Sequence, residues 1–273
     1  MSSIMKQIQP KFIPFLLVTL IFLGWSNLTF AVEITTEEIK YQAGNQTMVG
    51  YLAQPKLLVS GAPAILVVHE WWGQTDYPRK RARMLAKLGY IAMAVDMYGD
   101  RQITDHPKEA GAFSKAVFSS AKNVRGRFDA ALEALVKHSM AQTNNIVAIG
   151  YCFGGSVVLE MARQGLPLKG VASFHGGLKT PSKANSSTLK ARVLVLHGAA
   201  DPMTKPGGVE VFNAEMKAAS AKYKFISYAG AKHGFTNPQA SVYAKNLGFK
   251  ALGYQKKADL ESWAELQRFL KSF

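Results

Sequence analysis

The sequence contains very little cysteine. Cys152 is the only cysteine among 273 residues, so the chain cannot form an internal disulfide, and a fold held together by disulfide bonds is excluded. An unpaired cysteine is usually either a small buried core residue or a reactive group. The residues around Cys152 therefore have to decide between these two roles.

Acidic residues are also few. The chain has 18 Asp and Glu residues against 33 Lys and Arg residues, which gives a formal net charge of +15. The basic residues are scattered without interleaved aromatic residues, and no known DNA-binding motif is present, so we expect no nucleic-acid partner. A solvated basic surface is the simpler interpretation, and a field that attracts anionic substrates is the alternative.

The first 31 residues differ from the rest of the chain. Lys6 and Lys11 precede the apolar run Phe12–Gly24, and a polar stretch ends at Ala31. This order is typical of a secretory signal peptide cleaved before Val32. An uncleaved anchor is the alternative, although the apolar run is short for the ~20 residues that a membrane span needs.

Length and composition predict one folded domain behind this segment. The hydrophobic fraction of 48% and the charged fraction of 19% are ordinary for a globular protein. We expect a signal peptide at 1–31 and a domain at 32–273, in a periplasmic or secreted monomer without stable membrane association after cleavage. Loss of two lysines would leave 31 basic against 18 acidic residues, a net charge of +13.

Apolar runs alternate with helical stretches along the domain. The segments Glu37–Tyr41 and Thr47–Ala53 alternate in polarity and predict an antiparallel hairpin. Continuous apolar runs, typical of parallel strands buried on both faces, then follow; they are Ala64–Val68, Tyr90–Val95, Asn145–Gly150, Gly170–Phe174 and Arg192–Leu196, with a last strand at Lys224–Tyr228. Helices are predicted between and after them, at Asp76–Leu88, Lys108–His138, Phe153–Arg163, Gly208–Ala221 and Ala258–Phe273. This pattern predicts an α/β fold, with a mostly parallel central sheet, helices on both faces and an N-terminal antiparallel hairpin.

The surroundings of Cys152 favour the reactive role. The sequence has no Gly-x-Ser-x-Gly motif, but Gly150–Gly155 reads Gly-Tyr-Cys-Phe-Gly-Gly between a predicted strand and a predicted helix. This is the pattern of a nucleophile elbow, with cysteine where serine is usual. The flanking glycines permit a sharp, strained turn, and the following helix N-terminus favours a thiolate. A cysteine that only packs there is the alternative.

Two further strand ends supply an acid and a base. Asp201 lies in a loop after a buried strand, and His233 follows the last strand, which is the chain order of nucleophile, acid and base in hydrolases of this architecture. His233 would take the thiol proton and return it to the leaving group, and Asp201 would orient the imidazole.

Other polar residues at strand ends have simpler explanations. His69, His175 and His197 follow earlier strands, and we interpret each as a hydrogen-bonded wall residue. Asp96 precedes the elbow in the chain, so capping or loop anchoring is the favoured role.

The loop His69–Gly73 reads His-Glu-Trp-Trp-Gly after the first buried strand. In this architecture that loop supplies one oxyanion donor, so the backbone N–H groups of Trp71 and Phe153 are the candidate oxyanion hole. Trp72 would shape an apolar pocket beside it, although paired tryptophans are found as often in a core.

With these residues placed, the chain resembles the dienelactone hydrolase family, whose carboxymethylenebutenolidase-like enzymes open cyclic enol-lactones. The resemblance extends over about Ile34 to Phe273 and is carried by HEWWG, DMYGDRQ, GYCFGG, HGAADP and HGF, in this order and each at a strand end. It implies the α/β-hydrolase fold. It also implies that Glu70 contacts the resting Cys152 and moves when substrate binds; without the resemblance, a loop salt bridge is an equal alternative for Glu70.

The resemblance also implies that arginines hold a substrate carboxylate. Arg101 is the match for one of them, although its spacing from Tyr98 is one residue longer than in the family, and an exposed surface arginine is the alternative. The second arginine is missing, because Thr236–Pro238 occupies its place. Arg101, Trp72 and Tyr98 are therefore the candidate substrate-binding residues, and dienelactone itself is in question as the substrate.

Together these residues predict a hydrolase of small carboxylic esters or lactones that forms an acyl-thioester on Cys152. It would need no metal and no organic cofactor, and its only partner would be the small ester or lactone substrate. An exported peptidase or acyltransferase on the same fold is one alternative. A non-catalytic envelope binding protein is the other, and it has no need for all three triad residues.

Overall fold

The predicted alternation of strands and helices is present in the structure, a computed structural model that describes residues 32–57, 64–139 and 145–273. The strands are β1 (Ile34–Ala43), β2 (Gln46–Pro55), β3 (Ala64–Val68), β4 (Ile91–Val95), β5 (Ile146–Tyr151), β6 (Gly170–Phe174), β7 (Arg192–Gly198) and β8 (Tyr223–Tyr228). The helices are α1 (Asp76–Lys87), α2 (Pro107–Val117), α3 (Ala121–His138), α4 (Phe153–Arg163), α5 (Gly208–Ala218), α6 (Gln239–Asn246) and α7 (Lys256–Leu270). The predicted signal peptide at 1–31 lies outside the described residues.

The strands form one mixed sheet in the order β1-β2-β4-β3-β5-β6-β7-β8. β1 and β2 pair as the predicted antiparallel hairpin, with Ala43 opposite Gln46, and β2 pairs antiparallel with β4. From β4 to β8 all neighbouring strands are parallel. The prediction of an α/β-hydrolase fold, with an N-terminal antiparallel pair on a mostly parallel sheet, is confirmed.

Both faces of the sheet are covered, which explains the continuous apolar runs. Along β3, Leu66 packs into the core with α3, α4 and α5, whereas its neighbours Ile65 and Val67 pack on the opposite face with α1 and α7. Successive side chains of a strand point to opposite faces, so a strand buried on both sides needs an apolar residue at every position.

One predicted helix is wrong in extent. The stretch Lys108–His138 is two helices, because one side chain inside it satisfies the end of α2 and another caps the start of α3. Nδ2 of Asn123 donates to the carbonyl oxygens of Ala116 and Val117 at 2.9 Å, which satisfies the C-terminal end of α2. Oγ of Ser120 accepts the N–H of Asn123 at 3.1 Å and caps α3.

Helix α6 was not predicted from the sequence. Ala240 is its only buried residue, so it presents no apolar stripe that a helical period could reveal. In the part of the chain that the structure describes, no helix is both long and apolar enough to span a membrane. The parallel strands all end on one edge of the sheet, and the loops that follow them carry the candidate site.

Candidate active site

Cys152 lies at the sharp turn between β5 and α4. Its backbone has φ 54° and ψ −113°, a region that residues with side chains rarely adopt. The glycines around it are required by close packing: a Cβ on Gly150 would lie 2.0 Å from the carbonyl oxygen of Gly154, and a Cβ on Gly154 would lie 2.3 Å from that of Val68. The structure thus has the geometry of a nucleophile elbow at this position.

The predicted acid and base are hydrogen-bonded to each other. Nδ1 of His233 lies 2.8 Å from Oδ2 of Asp201, and both side chains are almost completely buried. The other carboxylate oxygen of Asp201 accepts the N–H of Met203 at 2.9 Å, which fixes the carboxylate plane. This arrangement leaves Nε2 of His233 as the imidazole nitrogen that can exchange a proton.

Nε2 of His233 is buried and has no hydrogen-bond partner that meets normal geometry among the described residues. Burial lowers the pKa of His233, but the charge of Cys152 and the hydrogen bond to Asp201 outweigh this and hold the pKa well above its ordinary value. An imidazole placed between a sulfur and a carboxylate in this way is suited to receive a proton from the sulfur.

Cys152, Asp201 and His233 line one cavity of about 200 Å³. The remaining lining residues are Trp71, Ser114, Phe153, Ser156, Gly176, Gly177, Met203, Thr204 and Leu252. No lysine or arginine is among the described residues of this lining. Within residues 32–57, 64–139 and 145–273, no group of three His, Cys, Asp or Glu side chains is arranged to hold a metal ion.

The two predicted oxyanion donors both border the cavity. Trp71 and Phe153 line it, and the N–H of each makes no hydrogen bond to the described residues. Gly154 donates its N–H to the carbonyl oxygen of His69 at 3.0 Å, which ties the elbow to the loop that carries Trp71. Two unused N–H groups on loops joined in this way can stabilise a negative oxygen that forms between them.

Glu70 is buried beside this site, and its carboxylate is bonded to Asn237. Nδ2 of Asn237 donates to Oε2 of Glu70 at 2.6 Å, and no hydrogen bond from Glu70 to Cys152 occurs among the described residues. Burial raises the pKa of Glu70 to about 7, although the Asn237 hydrogen bond and the charges of His233 and Arg81 lower it. The hydrogen bond that the structure shows for this carboxylate is therefore to Asn237 and not to the resting cysteine, which is the partner that the resemblance implies.

Trp72 and Tyr98 lie behind the cavity wall. Trp72 is 3% exposed and packs on Tyr243, with ring centroids 4.5 Å apart. The hydroxyl of Tyr98 donates to the carbonyl oxygen of Trp71 at 3.0 Å, and its ring packs against Phe153. Neither is among the cavity-lining residues, so both support the residues that border the cavity.

The structure does not bring Arg101 to the cavity. Its guanidinium pairs with Glu38 of β1 at 3.0 Å, and the side chain is 46% exposed. The turn that carries Arg101 is held by Asp96, which accepts the backbone N–H of Arg101 at 3.0 Å. The exposed-arginine alternative describes this residue, and the loop-anchor role expected for Asp96 is confirmed.

Sequence reasoning missed how His175 takes part in the site. Its Nδ1 accepts the N–H of Cys152 at 3.1 Å, and its Nε2 lies 2.8 Å from Oγ1 of Thr236. The residues that could have indicated this are the polar Ser173 and His175 at the end of an otherwise apolar strand and Thr236 close after His233. The contact between His175 and Thr236 joins residues 61 positions apart, and no local pattern predicts it.

The chain is similar to several known proteins over most of the described domain. The chain is 33% identical over 151 residues to an uncharacterised protein of Caenorhabditis elegans, covering 54% of this chain and 92% of that one. It is 27% identical over 248 residues to a Synechocystis protein provisionally named carboxymethylenebutenolidase, covering 84% and 97%. The crystal structure of a dienelactone hydrolase-like promiscuous phosphotriesterase from metagenomic libraries superimposes with a TM-score of 0.80 at 28% identity, covering 88% of this chain and 98% of that one. The profile of the dienelactone hydrolase family matches residues 48–273, and the chain belongs to that family.

Proposed function

We propose that this protein hydrolyses small carboxylic esters or lactones with Cys152 as the nucleophile. The observation that carries the proposal is the hydrogen-bonded pair of Asp201 and His233, which lines the same cavity as the strained elbow of Cys152. A cysteine that merely packs has no need of a buried imidazole with a free nitrogen beside it. The cavity volume of about 200 Å³ favours a small acyl group.

In the first half of the reaction, Nε2 of His233 accepts the thiol proton and Sγ of Cys152 attacks the carbonyl carbon. The negative oxygen of the tetrahedral intermediate is held by the N–H groups of Trp71 and Phe153, each of which is worth ~3 kcal/mol in comparable sites. The C–O bond to the leaving group breaks, and His233 returns the proton to the alcohol oxygen. An acyl-thioester remains on Cys152.

In the second half, water is the nucleophile. Nε2 of His233 accepts a proton from the water, whose oxygen attacks the thioester carbonyl, and the same two N–H groups hold the oxyanion. The C–S bond breaks, Sγ of Cys152 regains the proton, and the carboxylic acid leaves. For a lactone the alcohol and the acid are one molecule, so a single hydroxy acid is released.

The test is a panel of p-nitrophenyl acetate and simple lactones, assayed with the wild-type protein and with Cys152→Ala. We expect hydrolysis by Cys152→Ala to fall to the uncatalysed rate while its circular dichroism and thermal midpoint match the wild type. Because the chain has one cysteine, the fraction alkylated by iodoacetamide should equal the fraction of activity lost. Undiminished turnover by Cys152→Ala would reject the assignment.

A further inference from the structure

His175 is a buried residue that the reaction above does not use. It has no exposed surface, and its backbone has φ 41°, one of five positive values at non-glycine residues in the described chain. Strained backbone at a buried polar residue persists only where surrounding contacts hold it, and it is concentrated at functional sites. The partners of His175 therefore indicate what this strain supports.

The ring of His175 touches both the nucleophile and the base. Its Nδ1 accepts the N–H of Cys152 at 3.1 Å, an N–H that is shared with the carbonyl oxygen of Phe174 at 3.0 Å. The same ring lies edge-on to that of His233, with centroids 5.3 Å apart. A single side chain thus fixes the backbone of the elbow and borders the imidazole that must reach the sulfur.

The protonation of His175 follows from these contacts. Because the N–H of Cys152 is a donor, Nδ1 must carry a lone pair, so the ring proton lies on Nε2 and is donated to Oγ1 of Thr236 at 2.8 Å. Burial, and then the charges of His233 and Arg81, hold the pKa of His175 well below its ordinary value. The ring therefore stays neutral and can accept the elbow N–H while His233 carries a proton.

Thr236 is fixed in turn by residues of α1. The hydroxyl of Tyr77 donates to Oγ1 of Thr236 at 2.7 Å, and Nη2 of Arg81 donates to the carbonyl oxygen of Thr236 at 3.0 Å. Arg81 forms a partly buried ion pair with Asp259 of α7. A continuous set of polar contacts thus runs from the ion pair between two helices to the N–H of Cys152.

We propose that His175 is a positioning residue of this enzyme: held by Thr236, it fixes the strained turn of Cys152 so that Sγ stays directed at His233. This proposal rests on the proposed function, because it explains how Cys152 is oriented as the nucleophile of that reaction. The proposal predicts that the hydroxyl of Thr236 influences the reactivity of Cys152 through His175, although this hydroxyl makes no hydrogen bond to Cys152 among the described residues.

The experiment compares Thr236→Val, which has nearly the same shape without a hydroxyl, with Thr236→Ser, which keeps the hydroxyl. Two rates are measured: alkylation of Cys152 by iodoacetamide, followed by mass spectrometry, and acylation by p-nitrophenyl acetate under single-turnover conditions. We expect Thr236→Val to slow both about tenfold, or ~1.4 kcal/mol, with little change in KM, and Thr236→Ser to react at close to the wild-type rates. Alkylation needs no substrate, so it still tests the proposal if the wild type hydrolyses no ester.

Tyr41→Phe is the matched control for stability, because it removes a hydroxyl that donates to the carbonyl oxygen of Asp96 at 3.3 Å and makes no hydrogen bond to Thr236 or His175 among the described residues. It should lower the thermal midpoint about as much as Thr236→Val and keep the wild-type alkylation rate. Equal rates for Thr236→Val and the wild type would overturn the proposal, and so would an equal loss of reactivity in Tyr41→Phe. If Thr236→Val fails to fold, His175→Asn, which keeps an acceptor and tolerates positive φ, should react at least threefold faster than His175→Ala; equal rates for that pair would also reject it.

Discussion

The turns after β4 and β5 both contain residues with positive φ, but they use this strain differently. After β4, Asp100 and Arg101 have φ 50° and 56°, and the carboxylate of Asp96 accepts the backbone N–H groups that the turn presents. After β5, Cys152 has φ 54°, and its side chain lines a cavity with His233. An unusual backbone therefore identifies a reactive site only where the side chain and its neighbours retain unused hydrogen-bonding groups.

The largest effect should come from the base that faces the elbow. Changing His233 to Gln removes the group that accepts the proton of Cys152, and loss of a triad member in comparable enzymes lowers kcat by ~10⁴-fold or more. We expect such a loss of ester hydrolysis with a thermal midpoint within a few degrees of the wild type. Steady-state kinetics and a melting curve measure the two quantities.

His197→Gln is the control for this variant, because His197 is also a buried histidine at a strand end. Its Nδ1 is buried without a partner among the described residues, and it does not line the cavity. We expect kcat to stay within about threefold of the wild type. Equal losses from both substitutions would show that a buried histidine at a strand end, and not His233 in particular, controls activity.

A substitution in the turn after β4 should have the opposite effect, lowering stability and leaving kcat nearly unchanged. The carboxylate of Asp96 accepts the N–H groups of Val49, Tyr98, Gly99 and Arg101 at 2.8 to 3.2 Å. Asp96→Asn keeps one acceptor oxygen and turns an NH₂ group towards the other donors, so about 3 kcal/mol of stability should be lost through unpaired buried groups. Urea unfolding should show this loss, while kcat per folded molecule changes less than threefold. A kcat lowered as far as in His233→Gln would remove the contrast between the two turns.

The same contrast explains what the sequence could predict. Cys152 directly follows β5, and Asp201 and His233 lie in the loops after β7 and β8. The parallel sheet brings those strand ends together. The contact of Glu70 with Asn237 joins residues 167 positions apart, and the outward direction of Arg101 depends on Glu38 in the hairpin. Local patterns therefore predicted most of the strands and helices and the three residues that line one cavity, whereas the partners of the surrounding polar side chains required the tertiary structure.

Glu70 combines features of the two turns. It is buried near the cavity that Cys152 lines, but its carboxylate already accepts a hydrogen bond from Asn237, as that of Asp96 accepts bonds in the turn after β4. Its native pKa of about 7 lies above its ordinary 4.5, so the native state binds more protons than the unfolded state between these values. The free energy of unfolding should therefore be highest below pH 4.5 for this group and fall as the pH rises to 7, by up to about 3 kcal/mol. Glu70→Gln should remove this part of the pH dependence.

The measurement is urea unfolding of both proteins at several pH values from 4.5 to 8. The difference in stability between wild type and Glu70→Gln isolates this carboxyl, because the other titrating groups are common to both. The glutamine can still accept the Asn237 hydrogen bond through its oxygen. A difference that does not vary with pH would mean that Glu70 is ionised in the native protein throughout this range.

The smallest effect should come from substitution of Arg101. This variant tests whether Arg101 only pairs with Glu38 on the surface or also binds substrate. An exposed ion pair contributes about 0 to 1 kcal/mol, so Arg101→Gln should change stability no more than Glu38→Gln does. The cavity lining contains no lysine or arginine among the described residues, so an ester that carries a carboxylate gains no cation there. We expect Arg101→Gln to alter KM less than twofold for p-nitrophenyl butyrate and for its carboxylate analogue p-nitrophenyl hemisuccinate alike. A rise in KM confined to the hemisuccinate would show that Arg101 leaves Glu38 to bind the anion, and the turn after β4 would then belong to the active site after all.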